Sequence, residues 1–93
     1  MKVAIPIPES QLSSTLYWLI QKRSITSIEL RELTNSSYPP ARIHQLKRYY
    51  GVSIHAKVES YENKEKGVKY NVCRYYLLNP LKEAVKIYKS LIA

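Results

Sequence analysis

The 93 residues predict an α+β domain: three helices, an antiparallel β-hairpin, then a fourth helix. Three observations carry this. Apolar residues recur at helical spacing in four stretches, most of them opened by a capping residue or a proline. After Gly51 the apolar period drops to two, the signature of a half-buried strand. Gly67, the only other glycine, stands where two strands would turn back on each other. A chain of this length holds one small core.

Residues 1–9 form an arm. Prolines at positions 6 and 8 exclude a helix and restrict KVAIPIP to a sheet edge or an extended strap. The strap either packs on its own domain or crosses to a partner subunit. Ser10 to Arg23 is the first helix. Ser10 is its N-cap, Leu12, Leu16, Leu19 and Ile20 make its apolar stripe, and Lys22 and Arg23 complement the helix dipole. Ser24-Ile25 is an extended link suited to pairing with a later strand.

The second helix opens at Thr26, whose hydroxyl and the Glu29 carboxylate form a reciprocal capping box. Ile28, Leu30 and Leu33 supply its apolar contacts. Thr34 to Pro39 is read as a polar turn, longer than the tight turn of simple helix-turn-helix units. Pro40 starts the third helix and Gly51 closes it. Ile43, Leu46 and Tyr50 define its buried face. At about 100° per residue, Ala41, His44, Gln45 and Arg48 point outward, with Arg42 and Tyr49 on a flank.

Ile54, Ala56 and Val58 alternate with polar residues in the next strand. The return strand runs from Val68 to Leu78, with Cys73, Tyr75 and Leu77 favoured on its inner face. Asn79 then caps a helix with Pro80 at its first position. Its stripe includes Leu81, Ala84, Val85, Tyr88 and Ile92. That stripe needs a cover, either its own domain or the same helix of a second copy. Residues 10–78 and 79–93 are therefore read as a domain and an appended helix, with Leu81, Val85, Tyr88 and Ile92 the candidate dimer contact.

The net charge is +8, from 15 Lys and Arg against seven acids. This favours a polyanionic partner, nucleic acid before membrane. Between Arg42 and Arg74 stand eight cations and three acids, so +5 of the charge lies in that segment. A single cysteine, Cys73, excludes an internal disulfide. No stretch approaches the roughly 20 apolar residues of a membrane span, so no membrane partner is expected and the cytoplasm is the expected compartment. Catalysis has little support: the chain has no Asp, and His44 and His55 lie on different elements. No enzyme activity, cofactor or metal site is expected.

Several residues carry a resemblance: Ile25-Thr26 with Glu29, the run ARIHQLKRYYGVSI from Ala41 to Ile54, and Arg74-Tyr75-Tyr76-Leu77. They are similar to a family of small winged helix-turn-helix proteins of phages and prophages, over roughly residues 12–78. The resemblance implies three helices plus a two- or three-stranded hairpin wing, with the C-terminal helix an addition. It implies a recognition helix over 40–50, a wing over 61–69 on the DNA backbone, and a role in regulation.

On that reading the partner is double-stranded DNA. Arg42 and Arg48 meet phosphate or guanine, while Gln45 and His44 face base edges. Ala41 and Tyr49 share that surface. Ser36, Ser37 and Tyr38 offer hydrogen bonds to phosphate beside the helix N-terminus. Lys64, Lys66 and Lys69 neutralise phosphates, with Lys47 and Lys57. The plainer alternatives are an Arg42 ion pair with Glu29 or Glu32, capping roles for the serines, and a solvated hairpin tip. Two other functions compete: a protein-interaction module whose charged face docks an acidic surface, and an RNA-binding protein.

Overall fold

In a computed structural model that describes residues 2–92, helix α1 (Gln11–Lys22) is the hub of the fold. It contacts β1 (Ser24–Thr26), α2 (Ser27–Thr34), α3 (Pro39–Tyr49), β3 (Val68–Leu77) and α4 (Leu81–Ile92). Leu16, Leu19 and Ile20 are buried there, and Leu12 is half-buried. Ser10 caps α1 as expected, accepting from the Ser13 N–H at 3.1 Å, while its own N–H donates to the Ser13 hydroxyl at 2.9 Å. Arg23 ends the helix in the left-handed conformation, and the chain passes directly into β1.

The sheet has the order β1-β3-β2, all antiparallel, with β2 spanning Ile54–Asn63. The Ser24-Ile25 link thus becomes the third strand, Ile25 opposite Tyr75. Ile25, Ile54, Tyr75 and Leu77 turn one sheet face into the core with Ile43 and Leu46 of α3. Both long strands then leave the body. The expected inner positions Ala56 and Val58 are exposed, Val58 to 67%, because β2 is the outer strand of the sheet; their partners on the central strand, Tyr75 and Cys73, are buried and half-buried. The radius of gyration, 13.9 Å, exceeds the roughly 12 Å of a compact chain this long, as a protruding hairpin requires. Cys73 is only half-buried, whereas Val72, on the opposite face, is buried. Val72 shares a depression with Thr26, Ile28, Tyr61 and Tyr70, so the base of the hairpin is covered on both sides.

The arm packs along its own chain. Val3 exchanges two hydrogen bonds with the Gln21 carboxamide, at 2.6 and 2.7 Å. The Tyr88 hydroxyl donates to the Pro6 carbonyl at 2.6 Å. Ala84 and Tyr88 are fully buried, and Tyr88 stands 6.0 Å from the Tyr17 ring. Asn79 does not cap α4, which begins at Leu81. Its side chain accepts from the Ser53 N–H at 2.7 Å and donates to Glu83 at 2.9 Å, tying the hairpin base to α4.

Candidate nucleic-acid interface

The pair α2–α3 is set by local chemistry. The Thr26–Glu29 box forms in both directions, at 3.1 Å each way. It holds the Glu29 carboxyl below its ordinary range, chiefly through the Thr26 backbone N–H, with the Thr26 hydroxyl and Lys22 adding to it. Leu30 is buried, but Ile28 and Leu33 are 45% and 40% exposed, so α2 presents less to the core than its three apolar residues promised. Thr34 stays helical, its hydroxyl donating to the Leu30 carbonyl at 2.6 Å. Asn35 then takes the left-handed conformation, φ 56°. Because Pro39 already begins α3, the connection is Asn35–Tyr38, as tight as that of a simple helix-turn-helix unit.

Helix α3 starts one residue earlier than expected, with prolines at its first two positions. It ends at Tyr49. The N–H groups of Tyr50 and Val52 both donate to the Leu46 carbonyl, and Gly51, φ 70°, makes the reversal between them. Tyr50 consequently leaves the helical path and is 40% exposed, not part of the buried face. Ile43 and Leu46 anchor the helix.

The outward arc is shifted from its expected centre. His44, Lys47, Arg48 and Tyr49 are exposed, and the Arg48 guanidinium lies 5.7 Å over the Tyr49 ring. Ala41, Arg42 and Gln45 are half-buried. Arg42 pairs with no carboxylate: among the described residues the ion pairs are Lys22–Glu29 and Arg74–Glu59. Its Nε, and the side-chain oxygen of Gln45 one turn on, are withdrawn from solvent without a hydrogen-bond partner. Such groups normally find one, since each left unmet costs on the order of 1–3 kcal/mol. Before α3, Ser37 and Tyr38 are exposed, but Ser36 is buried and out of reach of a phosphate.

The hairpin is longer and its turn shorter than expected. The strands run to Asn63 and from Val68, so the tip is Lys64–Gly67 and Tyr61 and Lys69 are strand residues. Gly67 has φ 62°, and the Lys66 N–H donates to the Asn63 side chain at 3.2 Å. Lys57, Lys64, Lys66 and Lys69 are all exposed.

Arg74, counted among the cations of this face, is engaged within the sheet. Its Nε donates to Glu59 at 2.8 Å, and its Nη groups reach Ser24 and Tyr61 at 3.4 Å. The Tyr61 hydroxyl donates to the same Glu59 oxygen at 2.7 Å and its ring stacks on Tyr70 at 5.8 Å. This network lowers the Glu59 carboxyl and raises the guanidinium. Sequence reasoning missed it. The signal was the hairpin register: a tip closed at Gly67 puts Lys57 opposite Arg74 and Glu59 one diagonal away.

Two adjoining helices, the second with a bare cationic side, thus stand beside a projecting basic hairpin. A winged helix-turn-helix domain profile matches residues 10–80. The chain belongs to the winged helix-turn-helix family. No curated protein and no solved structure matches it. In the terms of this DNA-binding family, α2 and α3 are the helix-turn-helix pair, β2–β3 is the wing, and α4 lies beyond the matched segment.

Proposed function

We propose that this winged helix-turn-helix protein binds double-stranded DNA sequence-specifically, as a non-enzymatic transcriptional regulator of phage or prophage type acting in the cytoplasm. The regulatory setting rests on the Ala41-Arg42-Ile43 and hairpin motifs. The DNA reading rests chiefly on the outer side of α3, where His44, Lys47, Arg48 and Tyr49 are exposed and no carboxylate occurs between Pro39 and Tyr49.

In the proposed complex α3 enters the major groove and the wing follows the backbone. Arg48, held over Tyr49, reaches guanine or phosphate. Gln45 and Arg42, half-buried on the flank of that surface, read or brace at the groove edge through their other side-chain nitrogens. Lys64, Lys66 and Lys69 neutralise phosphates along the wing, and Ser37 and Tyr38 meet one at the start of α3.

Selection of bound duplexes from a random pool tests this. A consensus should emerge, preferred over bulk duplex by roughly a thousandfold or more. On that consensus Arg48→Ala should cost about 1–3 kcal/mol and relax one position. Failure to enrich any sequence would sink the specific reading.

A further inference from the structure

The wing and α3 leave a second cationic surface unexplained. Helix α4 turns Ala84 and Tyr88 into the core against α1. Its neighbouring edge stays open: Leu81 is 45% exposed, Val85 is half-buried, and Lys82, Lys86 and Lys89 stand beside them in the solvent. At about 1.5 Å per residue the three lysines extend over about 10 Å of one helix side. Leu81 and Val85, at i and i+4, make a short apolar seam alongside.

We propose that this edge docks an acidic amphipathic helix of another protein, the Leu81–Val85 seam taking its apolar side and Lys82, Lys86 and Lys89 its carboxylates. The occupant follows from charge. A second copy packed on this edge would bring three lysines against three. The only acid of α4, Glu83, is already bonded to Asn79 at 2.9 Å. A partner helix with carboxylates at i, i+4 and i+7 meets the lysines in register, each facing pair separated by a turn or less. An anionic membrane suits the edge less well. The large apolar groups of α4 are turned inward, leaving too narrow a seam to insert among lipids.

The test uses the full chain and a fluorescent synthetic helix of about 18 residues, with Leu along one seam and Glu at i, i+4 and i+7 beside it. Saturable binding is expected. It should weaken about tenfold or more with Lys82→Glu/Lys86→Glu/Lys89→Glu, with Leu81→Ser, and with a peptide carrying Gln for Glu. DNA affinity of Leu81→Ser should be unchanged, which separates this test from the duplex-binding proposal. Equal binding of the Gln peptide would overturn the idea. So would tighter binding to phosphatidylglycerol vesicles than to the peptide, or self-association abolished by Leu81→Ser. An equal fall in duplex and peptide affinity for the triple lysine variant would instead assign the face to DNA.

Discussion

Replacing Lys64, Lys66 and Lys69 together by Gln tests whether the wing lies on phosphate. All three side chains are exposed, and none belongs to the two ion pairs of the described residues, so the fold should survive. Lys64 and Lys66 sit in the turn, free of the sheet. Lys69 stands opposite Glu62 in the register, so its charge is partly offset. The variant therefore loses about two to three phosphate contacts, and the slope of log affinity against log salt should flatten by about 1.8–2.7. At about 0.1 M salt that is roughly a 60- to 500-fold loss, shrinking to roughly 10- to 25-fold at about 0.3 M. Fluorescence anisotropy on random and selected duplexes measures both. The loss should be the same on each, since phosphates carry no sequence information. An unchanged slope would take the wing off the backbone, and a loss confined to the selected site would make these lysines base readers.

Gly51→Ala meets nothing within 4 Å of the added methyl group, so only the positive φ opposes it. A cost of about 1–2 kcal/mol is expected, read by calorimetry as a melting temperature lowered by roughly 4–8 °C per kcal/mol. Tyr88→Phe removes the bond to the Pro6 carbonyl and should cost about 1 kcal/mol in urea titrations, with faster proteolysis of the arm. Glu29 has a depressed folded pKa, so its stabilisation is complete above the ordinary 4.5 and fades as pH falls through the lower folded value. Urea midpoints from neutral to acid pH should accordingly fall less for Glu29→Gln than for the parent. Burial, with the Cys73 thiol beside it, pushes Tyr75 up to about 12. Its contribution is intact below the ordinary 10.0 and lost as pH climbs towards 12, so Tyr75→Phe should resist alkaline unfolding, followed by circular dichroism.

Local chemistry was legible in the residues. Ser10, Thr26 with Glu29, Gly51 and Gly67 each do the job their types imply, because caps and left-handed turns depend on neighbours in the chain. The extended character of Ser24-Ile25 was legible too, but its partner, Tyr75 and Tyr76 far along the chain, was not. What depended on distant packing was not. Alternation marked Ala56 and Val58 as inner residues, but no pattern says that their strand would lie at the outer edge of the sheet. Ile28 and Leu33 looked like core for want of knowing how little of α2 faces α1. On α3 the helical angle located an outward side, yet the half-covering of Ala41, Arg42 and Gln45 comes from the surrounding fold. Arg74 looked like one more cation until the register brought Glu59 within reach.

The Tyr88 contact also bears on where the folding unit stops. The family profile ends at residue 80, before α4 begins at Leu81, yet Ala84 and Tyr88 fill the hollow beside Tyr17 and hold the arm by Pro6. A fragment trimmed to residues 10–80 would lack both the arm and α4, and so would uncover that wall of α1. The homology boundary therefore cuts through a continuous core, and a piece that keeps this packing intact carries both flanks.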